Sequence, residues 1–215
     1  MSPDLDITQR VVPLDRWPLR GGDPALDLLN TEAYRGLPHF MDLLQTYDVL
    51  VAWGISAGAL APNEAGPLLN AATVDPAAAD DALRQVKELR SALHVVMQRL
   101  TQGEPAPAAA LAVLNDARVE GQMHSEIAQV ENGFAVRFAA PAALALPHWR
   151  LADAATAILT TGSWTRVREC PGEDCGWFFL DTTKNGSRRW CDSADCGNRA
   201  RTRAYTERKR QAARA

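Results

Sequence analysis

The chain has no cysteine in its first 169 residues, no familiar catalytic signature and no long apolar run, and each absence removes a class of protein. No uninterrupted hydrophobic stretch approaches the ~20 residues that a membrane-spanning helix needs. The opening MSPDLDITQR is acidic and polar where a secretory signal is basic and then apolar, so a cytoplasmic protein with no membrane partner is expected. G-x-S-x-G, Walker, dinucleotide-binding and H-E-x-x-H motifs are missing, which leaves an enzyme without a recognisable nucleophile, base or cofactor cradle. No catalytic residue is therefore assigned. His39, His94, His124 and His148 are too dispersed to suggest a metal site by spacing, and no repeat of solenoid period occurs.

What is present is unevenly distributed. The 215 residues are 47% hydrophobic and 23% charged, ordinary for a folded protein, with a net charge of -3. Residues 1–163 hold 11 Lys+Arg against 19 Asp+Glu, net -8, whereas residues 164–215 hold 12 against 7, net +5. The last 17 residues, from Arg199 onward, carry +6, a local density that suits a polyanion. All four cysteines lie in the basic part. The expected organisation is an acidic, mostly helical domain over 1–163, followed by a cysteine module over 164–215.

In the acidic part, Gly21-Gly22-Asp23-Pro24 reads as a helix start, with Asp23 able to cap free backbone N–H groups and Pro24 suited to the first helical position. Helices are expected over 25–34, 42–53, 80–100, from 108 to 117, and about 147–161. The clearest is 80–100, where Leu83, Val86, Leu89, Leu93, Val96, Met97 and Leu100 recur at intervals of three and four. Beyond Glu131-Asn132-Gly133 the period changes, and Phe134, Val136 and Phe138 alternate. Asn-Gly between two such runs predicts a β-hairpin, because both residues tolerate the positive φ of a tight turn. The fold class expected is mainly α with a small antiparallel hairpin or sheet, an α+β chain.

Cys170, Cys175, Cys191 and Cys196 are spaced C-x4-C-x15-C-x4-C. Clustered thiols of a reducing cytosol are poor candidates for disulfides, and two short-spaced pairs suit a structural Zn2+ with sulfur at about 2.3 Å. A rubredoxin-like iron site, two disulfides or a redox pair are the other chemistries this spacing admits. Four sulfur ligands leave no open position, so the metal is structural rather than catalytic. The 15-residue spacer is expected to return the second pair by a hairpin, with Gly176 and Gly197 allowing backbone N–H groups to approach the sulfurs. Four thiolates on Zn2+ leave a charge of -2, which Arg188 and Arg189 are placed to offset. Trp177 to Leu180 is apolar and strand-prone and, with Trp190, is expected to pack on the zinc loops or on the larger domain.

From about Ala194 the chain has strong helix formers and no proline, so a helix is expected to start near the last ligands. Knuckle, hairpin and a ligand at a helix start describe a treble-clef-like zinc finger. With Arg199 at 0°, Arg203, Arg210 and Arg214 fall at roughly 40°, 20° and 60° around the helix, one dense cationic face. Guanidinium groups bind phosphate bidentately and read guanine edges, so nucleic acid, DNA above all, is the leading partner. The alternative is a basic helix docking on acidic protein surface.

At these residues the sequence resembles a known family. Arg188-Arg189-Trp190-Cys191 and Cys196-Gly197-Asn198-Arg199 are similar to the bacterial CGNR zinc finger, from which the chain departs at Asp192-Ser193, where Ser-Met is usual. Gly21-Gly22, Ala25-Leu26-Asp27-Leu28-Leu29-Asn30-Thr31, Leu50-Val51-Ala52-Trp53 and Leu89-Arg90-Ser91-Ala92-Leu93 resemble the ABATE domain that precedes this finger. The resemblance implies a stress-induced transcriptional regulator with zinc on the four cysteines and a DNA-binding finger. Candidate nucleic-acid contacts are Arg188, Arg189, Asn198, Arg199, Arg203, Lys209 and Arg210.

The acidic domain then serves as a sensor for a small-molecule effector or as a homodimerisation body. Asp27, Asn30 and Thr31 share a helix face and with Arg90 form a candidate polar pocket. The plainer role for these four is to satisfy helix ends and tie loops together. Three functions follow: a zinc-dependent DNA-binding regulator, a protein-interaction module with structural zinc, and a small-molecule enzyme with structural zinc.

Overall fold

A computed structural model describes residues 19–140 and 142–213 of the chain. The first helix starts as its sequence dictates. Asp23 Oδ1 accepts from Ala25 N at 2.8 Å, Pro24 takes the first helical position, and α1 runs Pro24–Leu29. It is shorter than the expected 25–34, because after Asn30 and Thr31 the chain extends into β1 (Glu32–Ala33), paired antiparallel with β2 (Met41–Asp42). Asp42, expected to open the second helix, is thus a strand residue. Its carboxylate is drawn onto Arg90, and Thr46 instead caps α2 (Tyr47–Ser56).

A 3-10 turn (Pro62–Glu64) leads to α3 (Ala65–Val74), α4 (Pro76–Thr101) and α5 (Ala108–Met123). α4 starts where Asp75 Oδ1 accepts from Ala78 N at 3.0 Å, and its stripe of Leu83, Val86, Leu89, Leu93, Val96 and Met97 is buried as the spacing predicts. Then come the hairpin strands β3 (Ser125–Val130) and β4 (Gly133–Phe138), and α6 (Leu146–Thr160), which packs with α4 and α5 as a three-helix layer. Ile127 faces Val136 and Val130 faces Gly133, so Glu131 and Asn132 are the turn residues. Only Gly133 has a positive φ, 144°. The Asn-Gly pair located the hairpin, but the register places its turn one residue earlier.

The cysteine module adds β5 (Val167–Glu169), paired antiparallel with β6 (Phe178–Leu180), and α7 (Cys196–Ala212). The described residues hold seven α-helices and three two-stranded antiparallel sheets, an α+β fold. None of these helices is long and apolar enough to cross a membrane. The strand pair does not lie between the two cysteine pairs, as expected, but brackets the first pair. The spacer returns through β6 and the loop 181–190.

Alternation along β6 joins the two parts of the chain. Successive strand residues point to opposite faces, so Phe178 enters the main core beside His94 of α4, while Phe179 enters a second cluster with Cys170, Cys191 and Cys196. Both rings are buried, and each such burial contributes about 2 kcal/mol.

Candidate metal centre and nucleic-acid interface

The four cysteines converge from separate local structures. Cys170 follows β5, and Cys175 precedes Gly176, whose φ of 67° turns the chain back into β6. Cys191 lies in the loop after Trp190, and Cys196 is the first residue of α7. All four Sγ atoms lie within 4.8 Å of one another, with Cys175–Cys191 and Cys191–Cys196 both at 3.6 Å. A tetrahedron with metal–sulfur bonds of about 2.3 Å has edges of about 3.8 Å, so the cluster has the dimensions of a ZnS4 site.

The surroundings favour thiolate. Cys191 N donates to Cys170 Sγ at 3.4 Å and Arg199 Nη2 to Cys196 Sγ at 3.1 Å, while Cys196 sits at the positive end of α7. Hydrogen bonds from Cys175 and Cys191 hold the Cys170 thiol far below its ordinary range; the same contacts with Cys170 push Cys175 and Cys191 up. Four sulfurs in mutual contact cannot all ionise unaided, and a dication relieves that conflict. The residues present fit one structural Zn2+.

Two glycines shape the site differently from expectation. Gly197 has an ordinary helical φ; what it supplies is space, since a Cβ there would lie 3.0 Å from Trp190 Cδ1. Gly172, which carried no signal in the sequence, passes so close to the sulfurs that a Cβ would meet Cys196 Sγ at 3.1 Å.

The finger is fastened to the body by backbone bonds. Asn30 Nδ2 donates to Phe178 O and Phe178 N donates to Asn30 Oδ1, both at 2.9 Å. Leu180 N donates to Gly21 O at 2.8 Å, and Trp177 Nε1 to Glu32 O at 3.1 Å. Gly21 also donates to Asp27 Oδ1 at 2.7 Å, in a corner where a Cβ would stand 2.8 Å from Asp27 N.

Of Asp27, Asn30, Thr31 and Arg90, the structure joins Thr31 to Arg90, while Asp27 binds Gly21 and Asn30 binds Phe178. All four are buried. Arg90 donates to Thr31 Oγ1 at 2.8 Å, grips both Asp42 oxygens at 2.8 and 2.9 Å, and pairs with Glu32 at 3.0 Å. Burial pushes Asp42 up, but the hydrogen bonds and charge of Arg90 outweigh it and hold the carboxyl below its ordinary range. These side chains act as a polar brace, bonding to groups of the chain itself.

The candidate nucleic-acid contacts divide in the same way. Arg188 is an internal clamp: its guanidinium lies 4.4 Å from the Phe179 ring and donates to the carbonyls of Arg20, Leu180, Trp190 and Cys191. It offsets the charge of the metal site and spends four of its five N–H donors inside the chain, leaving one on Nη1. Arg199 is tied to Asp195 at 3.0 Å and to Cys196 Sγ, and Arg203 pairs with Glu173 of the knuckle. Arg189, Asn198, Lys209 and Arg210 are exposed, and Arg189 lies 5.2 Å from the Trp190 ring. Every residue from Arg201 to Ala213 is exposed. Arg214, the last member of the expected stripe, lies outside the described residues.

Sequence reasoning missed several of the residues that build the finger. Asp181 is buried and accepts from Thr183 N at 2.9 Å, Thr183 Oγ1 at 2.6 Å and Arg188 N at 3.0 Å, organising the returning loop. An Asp two residues before a Thr at the head of a turn-rich run was the available signal. Glu173, Arg20 and Asp192, which pairs with Arg20 at 2.7 Å, gave none, since their partners are remote in sequence.

Comparison with known proteins agrees with this construction. The CGNR zinc-finger family model matches residues 166–209. The ABATE family model, described as "putative stress-induced transcription regulator", matches residues 22–162. The chain belongs to the ABATE family. In this ABATE protein the family match ends just before the 3-10 turn Ser163–Arg166 that leads into β5, and the CGNR match contains all four cysteines. No curated protein matches the chain.

Proposed function

We propose that this protein is a zinc-dependent DNA-binding transcriptional regulator, with a treble-clef-like finger that presents α7 to the duplex. The observation that carries the reading is α7 itself. Its first residue is a zinc ligand, Arg199 binds back to Asp195 and Cys196 at its start, Arg203 ties its next turn to Glu173 of the knuckle, and beyond them an exposed helix holds Arg208, Lys209 and Arg210 against one acid, Glu207. Such a helix is oriented by the metal yet leaves its outer cations free, and mutual repulsion among them is relieved when phosphates lie alongside.

The free cations, rather than the arginines bound to the knuckle, make the contacts in this reading. Fluorescence anisotropy of zinc-loaded protein with randomised duplex, across a salt series, tests it. The affinity should fall steeply with salt, and Arg208→Ala/Lys209→Ala/Arg210→Ala should reduce the slope of log K against log salt by about 2 to 3 without loss of zinc. Binding to no duplex of any sequence, alongside a stable complex with an acidic protein, would replace DNA regulation with the protein-interaction alternative.

A further inference from the structure

Val136 and Phe138 of the β3–β4 hairpin face Glu64 and Arg150 of the body across a gap. A cleft of about 770 Å³ opens there, within the size range of small-molecule sites. Val136 and Phe138 line it from β4, Ala59 and Ala61 from the loop after α2, and Glu64, Arg137, Arg150 and Asp153 supply its charges.

Those charges are not equivalent. Glu64 is satisfied, with Oε2 accepting from Ala61 N at 2.7 Å and Oε1 from Arg150 Nη2 at 2.5 Å. Arg150 is not, since its Nε is buried and meets no acceptor. Its guanidinium lies 5.8 Å from the centre of the Phe138 ring. Asp153 also borders the cleft, where burial pushes its carboxyl up against the lowering pull of Arg118 and Arg150. Val136 is 64% exposed, an apolar side chain left in water on the same cleft. The cleft thus sets a partly exposed guanidinium, engaged by Glu64 only through Nη2, next to an aromatic ring and aliphatic surface. A ligand meeting both demands has an anionic oxygen for Arg150 and an apolar body for Phe138 and Val136.

We propose that this cleft is a binding site for a small organic monocarboxylate with an aromatic or aliphatic body. The carboxylate engages Arg150, and the body covers Val136 and Phe138. The site is separate from α7, so carboxylate binding and DNA binding can each fail without the other. It nevertheless shares a helix with the finger: Pro24, which opens α1, lines the cleft, and Asn30 at the other end of α1 holds Phe178.

Titration calorimetry of the full zinc-loaded chain with phenylbutyrate, phenylbutanol and phenylbutylamine tests the proposal. Saturable binding of the carboxylate is expected, with the alcohol and amine weaker by about tenfold or more. Val136→Glu changes an exposed position and should weaken phenylbutyrate about tenfold while thermal unfolding stays unchanged. Arg150→Gln should do the same; should it fail to fold with Glu64 left unpaired, Glu64→Gln/Arg150→Gln removes the stranded charge and carries the same expectation. No saturable binding, equal affinity for the three probes, or affinity unmoved by Val136→Glu and the double variant would overturn the site.

Discussion

Asn30 and Phe178 are 148 positions apart, yet the Asn30 amide satisfies both the N–H and the C=O of Phe178 at 2.9 Å. The Asn30 side chain takes the part of a neighbouring strand for β6. Through it the helix that opens the body and the strand that carries the zinc knuckle become one packed unit, with the Phe178 ring inside the main core.

Asn30→Ala leaves both Phe178 backbone groups without partners in a buried place, at about 1–3 kcal/mol for each orphaned group. Chemical denaturation should register that loss, and hydrogen exchange at the Phe178 amide should accelerate more than at amides within α4. An unchanged Phe178 amide would show that the bracket is not formed in solution.

Arg90→Met should be more damaging than its size change suggests. It takes the buried cation away from Glu32 and Asp42, which keep only the more exposed Arg35 and Lys87, and removing one member of a buried ion pair costs up to about 3–5 kcal/mol. Arg90→Lys keeps the charge but not the two-pronged grip on Asp42, so its loss should fall between wild type and Arg90→Met. A midpoint in urea equal to wild type for either variant would contradict the brace.

Cys175→Ser, or removal of zinc by a chelator, should release the metal and unfold the finger while most of the helical circular dichroism survives. The five-helix body from α2 to α6 has its own buried stripe, but Phe178 and Val167 are shared, so the body should also melt at a lower temperature than in the zinc-loaded protein. Retention of a full equivalent of zinc by Cys175→Ser would remove that residue from the ligand set.

Half-buried His94 and buried Asp27 should give opposite pH signatures. Burial, with Arg35 and Arg90 nearby, lowers His94 to about 4, so between about 6.5 and 4 the unfolded chain binds the proton more readily, and stability is lost as pH falls. Burial raises Asp27 to about 6, so between 3.8 and about 6 the folded chain holds its proton more tightly, and stability is lost as pH rises. Denaturation series should show His94→Gln reducing the loss on acidification and Asp27→Asn reducing the loss on the way up to pH 6. The same sign of change in both variants would refute the assignment.

Local signals were legible where local physics decides. The Asp23-Pro24 start, the α4 stripe and the spacing of four cysteines each specify their structure through neighbours within a few residues, and all three appear as read. The boundaries at 25–34 and 42–53 were misread because Asp42 answers to Arg90, 48 positions away, rather than to its own helix propensity. The stripe of arginines at helical spacing was visible, but its division into knuckle-bound and free members depends on Glu173 and Asp195.

The sequence by itself determined the ligand set, the zinc-sized spacing, the acidic and basic halves and the long amphipathic helix, because each rests on residue type and short-range periodicity. Only the tertiary structure decided which polar residues became braces and which cations stayed free. Asp27, Asn30, Thr31, Arg90 and Arg188 have side chains that would serve equally well for a ligand or for the fold. What settles their use is the position of a carbonyl or carboxylate brought alongside by chain segments far away in sequence, and no local pattern encodes that distance.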